Sequence, residues 1–386
     1  MKLKAWTGTL AAVGVLALAV GACGSSSNSS SASSGSSSAS SGSGGGSSSG
    51  SSATSTAASS SSSGSSSGVQ FSGLETSVPS SYPQPKPKHL KLAYLNPEGS
   101  SNEFLTVLGQ SMKDEVQKLG GTYVELDAEG DVNKQVSQFD QLLAQKVDGI
   151  AVFALDPKSL APDVARARKA GIHLVTIDFN FTNTSAAGLQ GYESQVWQAR
   201  DMAAYLTAQA MAKQLGPGAT IGTIDFAIKV PSIVFSIQRD VYWAKKFGLK
   251  VAGNASNPTD DIAGGEKAMT TLLGQDNSIK GVMAYNDPSA IGAYSAARSQ
   301  GITGLALAGG NGGSDGLGAI KAGRESFTAK LDDPSMGKDF AWGLYDLSEG
   351  VKIPATIKAG NPVLVDKQNV NSIVPWEAQL KQEYGH

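Results

Sequence analysis

From Leu90 to Asp178 the chain alternates between short apolar runs and longer amphipathic stretches. The runs Leu90–Leu95, Thr122–Leu126, Gly149–Leu155 and His173–Asp178 have the length of strands. Between them, Asn102–Leu119, Val132–Lys146 and Ser159–Ala170 have the length and periodicity of helices. Phe104, Leu108, Met112, Val116 and Leu119 keep one helical face. Gly120-Gly121 and Gly171 stand where helix C-termini favour glycine. Gly149–Leu155 and His173–Asp178 are almost wholly apolar, as strands of a parallel sheet covered on both faces are. This alternation predicts a doubly wound α/β lobe.

The pattern then repeats. Strands at Thr220–Phe226, Lys250–Ala255, Gly281–Tyr285 and Leu305–Ala308 go with helices at Ser194–Leu215, Ser232–Phe247, Ile262–Leu273 and Pro288–Gln300. Phe327–Leu331, a helix over Met336–Glu349 and a final strand near Pro362–Asp366 follow. Two α/β lobes in tandem are expected, with a tail that recrosses between them. Open parallel sheets bind ligands beyond the carboxyl ends of their strands. The polar residues at those ends are Asn96, Asp127, Asp156, Asp178, Asn180, Asn286, Asp287, Asn311 and Asp332.

The N-terminal part cannot fold this way. Between Lys4 and Glu75 there is no charged residue, and most of Gly24–Gly68 is Ser or Gly. Such a tract buries no apolar surface and stays unstructured. Its reach is about 35–40 Å, which suits a tether. Pro79, Pro83, Pro85 and Pro87 make a stiffer collar. Ahead of the tract, Lys2 and Lys4 precede an apolar run, Ala5–Ala22, that stops at Cys23. With Val20-Gly21-Ala22-Cys23 at its end, it resembles a bacterial lipoprotein signal peptide. That resemblance implies cleavage before Cys23 and lipidation of its thiol. An uncleaved anchor helix is the alternative; either exports and tethers the protein.

Composition removes several function classes. The net charge of -2 argues against nucleic-acid binding. Cys23 alone allows neither an intrachain disulfide nor a cysteine metal cluster. With only His89, His173 and His386, a multi-His zinc site or a His-dependent triad is not expected. Gly312-Gly313-Ser314-Asp315-Gly316 matches a hydrolase nucleophile elbow, but that mechanism needs a downstream His and only His386 remains. It reads better as a turn opening a helix around Leu317–Lys321. No phosphate-binding loop is present. No catalytic residue, cofactor or metal is therefore expected. An exported glycoside hydrolase using Asp178 and Asp332 across a cleft remains a rival.

Several segments occur in a familiar order: Asn102-Glu103-Phe104, then Gly171-Ile172-His173-Leu174-Val175-Thr176-Ile177-Asp178. Asn286-Asp287-Pro288-Ser289-Ala290-Ile291-Gly292-Ala293 and Gly318-Ala319-Ile320-Lys321-Ala322-Gly323 follow. Over about Leu90–Val370 the chain resembles the periplasmic-binding-protein type 1 family, in particular the ribose-like sugar-binding subunits of ABC importers. The resemblance implies two doubly wound, Rossmann-like lobes with parallel sheets, joined by a three-crossover hinge and closing on one small solute. The first lobe would take residues 89–192 and 332–363, the second 193–331 and 364–386, after a signal peptide over 1–22 and a tether and collar over 23–88. Crossovers would fall near Tyr192–Ser194, Leu331–Asp333 and Val363–Asp366. A monomer that hands its solute to a membrane permease is implied; a sensory protein presenting it to a membrane receptor is the alternative.

The resemblance also implies ligand contacts at Asn102, Phe104, Asp178, Phe179, Arg239, Asn286, Asn311 and Asp332. Planar Asp, Asn and Arg groups each engage two hydroxyls of a polyol, and aromatic rings pack on its C–H face. Local readings stay open beside these. Asp178 and Asn286 could be helix caps, Phe104 a core anchor, Arg239 a surface ion pair and Asn311 part of a tight turn. The chain also departs from the family pattern. Phe179 stands where an Arg is usual, Gly309-Gly310-Asn311-Gly312 replaces a Gly-Phe-Asp-Gly turn, Asp332 stands for a hinge Gln, and Asp260 falls near a family aromatic. With Asp178, Asp332 and Asp260 set against Arg239 alone, the pocket would be acidic. A solute other than ribose, either another sugar or polyol or an amine-bearing one, is then expected.

Overall fold

The computed structural model describes residue 71 and residues 82–99, 102–181 and 186–385; Cys23, the Ser/Gly tract and His386 lie outside them. The first lobe starts with β1 (Lys91–Asn96), α1 (Glu103–Lys118), β2 (Thr122–Asp127), α2 (Val132–Ala144), β3 (Gly149–Val152), α3 (Pro157–Lys169), β4 (His173–Ile177) and β5 (Ser194–Trp197). The chain then builds the second lobe from α4 (Arg200–Leu215), β6 (Thr220–Phe226), α5 (Pro231–Lys246), β7 (Lys250–Asn257), α6 (Ile262–Gln275), β8 (Gly281–Ala284), α7 (Asp287–Ser299), β9 (Ala306–Asn311), α8 (Ser314–Lys321) and β10 (Phe327–Lys330). It returns to the first lobe for α9 (Asp333–Ser348) and β11 (Thr356–Lys358), adds β12 (Val363–Val365) to the second sheet, and ends in α10 (Trp376–Tyr384).

Each lobe carries a six-stranded sheet, in the orders β11-β5-β4-β3-β1-β2 and β12-β10-β9-β8-β6-β7. Pairing is parallel except where β12 runs antiparallel to β10. The central strands β3 and β8 are buried at every position, as their unbroken apolar sequences require. Helices start where side chains cap them. Asp131 accepts from Asn133 N at 2.7 Å and Lys134 N at 3.1 Å, and Asp156 caps α3 ahead of Pro157. Asp156, one of the strand-end acids, is thus a helix cap.

Along α1, Phe104, Leu105, Val107, Leu108, Met112 and Val116 are buried against the sheet and α9. Each such side chain contributes about 1.5–3 kcal/mol on burial. Gly337 of α9 lets the two helices touch: a Cβ there would lie 2.3 Å from the Leu108 carbonyl oxygen.

Three connections join the lobes; the second runs through Leu331 and Asp332, as expected, and the other two lie elsewhere than expected. Ser194–Trp197 is a strand of the first sheet and not the start of a helix, so the first crossover follows Trp197. The four buried residues pair with β4 on one side and β11 on the other, and this tertiary pairing overrides their helical context. The third crossover lies between β11 and β12, ahead of Val363. The last helix, expected in the second lobe, packs on α1 and α9: Trp376 is buried, its ring centroid 6.2 Å from that of Phe104, and Tyr384 bonds to Glu115 at 3.0 Å. Among the described residues no helix is long and apolar enough to cross a membrane.

Candidate ligand-binding cleft

Both sheets point their carboxyl ends at one cavity between the lobes, with about 510 Å³ of empty space, part of it open to solvent. That is within the usual size of small-molecule sites. Phe104, Leu105, Phe153 and Leu155 from the first lobe and Phe226, Val230, Ile233 and Tyr285 from the second form its apolar wall. Glu98, Asn102, Arg200, Asp260, Asn286 and Asn311 supply its polar groups.

Asn102 and Asn286 do two things at once. Each is a helix N-cap, Asn102 Oδ1 accepting from Phe104 N at 3.1 Å and Asn286 Oδ1 from Ser289 N at 3.0 Å. Their amide nitrogens are left to donate into the cleft, and both reach Asp260, at 2.7 and 2.8 Å. The cap and contact readings are therefore compatible. Phe104 is likewise both packed and cavity-lining. Asn311 ends β9 with φ +82 and lines the cavity, followed by Gly312 at φ +74. Only glycine fits there: a Cβ on Gly312 would lie 2.4 Å from Lys330 Cα. Asp287 holds this turn, accepting from Gly312 N at 2.9 Å, Gly313 N at 3.1 Å and Thr328 Oγ1 at 2.6 Å; burial pushes its carboxyl up to about 7.

Four expected contacts are not among the residues lining this cavity, although two of them, Asp178 and Phe179, line a small adjoining pocket with Val230, Pro231 and Ser232 of the second lobe. Asp178 is fully buried and its carboxylate is taken by Arg200 Nε at 2.5 Å and Gln198 N at 3.0 Å. Burial pushes that carboxyl above its ordinary value, against the pull of Arg200. Phe179 packs partly buried against the first-lobe core, 5.2 Å from the Tyr192 ring, and its backbone N–H donates to Gln195 Oε1 at 2.9 Å. Arg239 lies along α5 with its guanidinium on Asp201 at 2.5 Å and over the Tyr242 ring at 4.1 Å. Asp332 lies at the second crossover beside Asn361 and Val363, on a separate groove. The acidic pocket read from the sequence is not assembled as expected, because Asp332 faces elsewhere and Asp178 is already neutralised.

Sequence reasoning missed two polar groups. Arg200 lines the cavity from the first crossover, aimed by Asp178 and by Ser236 Oγ at 3.3 Å. Its signal was the strand Ser194–Trp197, since recognising that strand puts Arg200 at a strand-to-helix junction. Glu98 follows β1 and hydrogen-bonds to Asp260. Only the junction at the end of β1 marked it. Backbone strain gathers at the same place. Asp178, Ala199, Asp260 and Asn311, four of the seven described non-glycine residues with positive φ, belong to the cavity wall or to the Asp178–Arg200 support behind it. Such strain typically costs about 1–3 kcal/mol per residue and collects at functional sites.

Comparison with known proteins agrees with this geometry. Residues 92–352 match the periplasmic binding protein domain family. The chain is 27% identical over 260 residues to the ribose import binding protein RbsB of Bacillus subtilis, covering 67% of this chain and 82% of that one. It is 29% identical over 245 residues to the xylitol-binding protein of Mycolicibacterium smegmatis, covering 62% and 64% of the two chains. An ABC transporter solute-binding protein from Mycobacterium smegmatis with bound glycerol superposes with a TM-score of 0.66 at 25% identity, over 74% of this chain and 97% of that one. One from Burkholderia graminis in complex with D-arabinose gives 0.67 at 20% identity, over 75% and 99%. With two parallel-sheet lobes facing one cleft and a family match across most of its folded length, the chain belongs to the type 1 periplasmic binding proteins.

Proposed function

We propose that this protein is an extracytoplasmic, lipid-anchored receptor that captures a neutral sugar or polyol between its lobes and delivers it to an ABC importer permease. It performs no chemistry. The observation that carries the reading is the composition of the cleft: an aromatic and aliphatic wall opposite planar polar groups, drawn from both lobes. The wall packs the C–H face of a polyol, while Asn102, Asn286, Asn311 and Arg200 meet its hydroxyls. Arg200 is paired with Asp178, and Asp260 is hydrogen-bonded by neutral donors, so both groups are held by directional hydrogen bonds of the kind that suit an uncharged polyol. The two carboxyl groups of the lining, Glu98 and Asp260, are hydrogen-bonded to each other rather than set about 5 Å or more apart around a scissile bond, which weighs against a glycoside hydrolase. Among the relatives, the ribose, xylitol and allose proteins are named for neutral polyhydroxy solutes. Lipidation at Cys23, followed by the Ser/Gly tether, would hold the receptor at the outer face of the membrane, in reach of its permease.

Thermal unfolding against pentoses, hexoses, polyols and amino sugars tests the reading. A solute at roughly 100 times Kd stabilises by about 2.7 kcal/mol, a shift of several degrees. A shift with one neutral solute, lost in Arg200→Ala, is expected. A response confined to amino sugars would overturn the neutral assignment, and turnover of a chromogenic glycoside would overturn the receptor reading.

A further inference from the structure

Asp260 is where polar groups of the two lobes meet. It sits between β7 and α6 at φ +56. From its own lobe it accepts the Tyr285 hydroxyl and Asn286 Nδ2, the latter at 2.8 Å. From across the cleft it accepts Asn102 Nδ2 at 2.7 Å. Glu98, also of the first lobe, is hydrogen-bonded to the same carboxylate. Two carboxyl groups in hydrogen-bond contact hold a proton between them. Burial raises the Asp260 carboxyl as well, but three neutral donors favour its ionised form, so the shared proton resides on Glu98.

We propose that Glu98 and Asp260 are positioning residues that latch the lobes through one shared proton, so that closing the cleft takes a proton onto Glu98. The latch rests on the reading of the cleft as one that opens and closes around a solute.

The surroundings leave no other counter-charge. Asp127 at the end of β2 and Asp261 beside Asp260 add negative charge, and Tyr285 is a neutral phenol. Arg200 is the only cation among the lining residues and is engaged by Asp178. Burial and the charge of Asp260 push the Glu98 carboxyl from 4.5 up to about 8. In an open cleft Glu98 is hydrated and titrates near its ordinary value. The sign follows from the raised value. Closure is strongest in acid, where Glu98 is protonated in both forms. It then weakens as pH rises from about 4.5 and levels off above about 8. One proton permits at most a tenfold change per pH unit.

The test is a lobe-to-lobe distance measured with no solute added. The full chain in mild detergent carries Cys23→Ser, Lys158→Cys and Thr271→Cys, and a fluorescent donor and acceptor report energy transfer from pH 5 to 9.5. The closed population of the parent is expected to fall by up to tenfold per unit and to level off above about pH 8. Glu98→Gln, which keeps a donor without a titratable proton, is expected to stay closed throughout; Glu98→Ala is expected to be open throughout. A parent distance that ignores pH overturns the latch. So does Glu98→Gln following the parent slope, which would assign the titration elsewhere, for example to Lys330 at the hinge. Xylitol and D-ribose titrations at pH 6 and 8.5 separate the two readings. A pH-dependent distance without solute binding keeps the latch and removes the sugar reading. Sugar binding with a flat distance does the reverse.

Discussion

Replacing Asp178 by alanine tests how the cleft arginine is held. Asp178 is 0% and Arg200 9% exposed in their side chains, and they meet at 2.5 Å. In Asp178→Ala the guanidinium keeps the Ser236 Oγ hydrogen bond, at 3.3 Å, and the nearby Asp240 carboxyl, and the Gln198 N–H loses its acceptor. Removing one partner of a buried ion pair costs about 3–5 kcal/mol, because the other charge stays behind. Arg200→Ala is expected to cost less. Burial already raises the Asp178 carboxyl, so it takes up a proton when its cation is gone. Stability of that variant should therefore fall as pH rises from the ordinary carboxylate range. The double variant leaves no orphaned charge, so the cycle should show a coupling of about 2–3 kcal/mol. Urea unfolding followed by tryptophan fluorescence reads it, with fully buried Trp197 next to the crossover as a local reporter. Single-variant losses that add within about 0.5 kcal/mol would refute the pairing. Asp178→Ala should also weaken solute binding from outside the cavity lining, by releasing Arg200; unchanged affinity would refute the positioning role.

Gly312→Ala places a Cβ 2.4 Å from Lys330 Cα at φ +74, so it should lower stability by at least about 1–3 kcal/mol, measured by urea unfolding. Phe104→Ala empties a buried position shared by core and cavity; about 3–5 kcal/mol of stability should be lost together with solute affinity, measured by calorimetry on the folded fraction. Burial holds Asp240 at about 8 and Asp287 and Asp339 at about 7, all raised. The native chain thus binds more protons than the unfolded one between about pH 4 and 8, and the unfolding midpoint should fall from pH 5.5 to 8.5. A midpoint that rises across that range would contradict it.

The lobes were legible because their signal is redundant. Apolar strands such as Gly149–Val152 and the helix-capping pairs Asp131 and Asp156 speak through local sequence. The errors fell where tertiary pairing decides. Ser194–Trp197 and Thr356–Lys358 are short; the first becomes a strand by pairing with β4 and the second by pairing with the first across some 160 residues of chain. The terminal helix could not be assigned to the first lobe from its own residues, because what holds it there is distant. Trp376 is buried, donates to Leu331 O at 2.9 Å, and lies with its ring tilted against that of Phe104.

The cleft was legible where a residue stands at a strand end, as Asn286 and Asn311 do, while Asn102, the cap of α1, was marked only by the family resemblance. It was not legible where charge is relocated. The position after Asp178 is Phe179, which suggested a lost cation and an acidic pocket. Arg200 restores the cation from 22 residues further along, across the first crossover. Asp178 itself lines only a small adjoining pocket, its carboxylate spent on aiming that arginine. Asp260, in turn, is surrounded by donors rather than left as a bare acid. Counting acids along the sequence therefore overstates the charge a solute meets. The count that matters runs over partners: Asp178 is on Arg200, and Glu98 and Asp260 share one proton, so one negative charge rather than three faces the cleft, set among directional hydrogen-bond donors that suit a polyol hydroxyl.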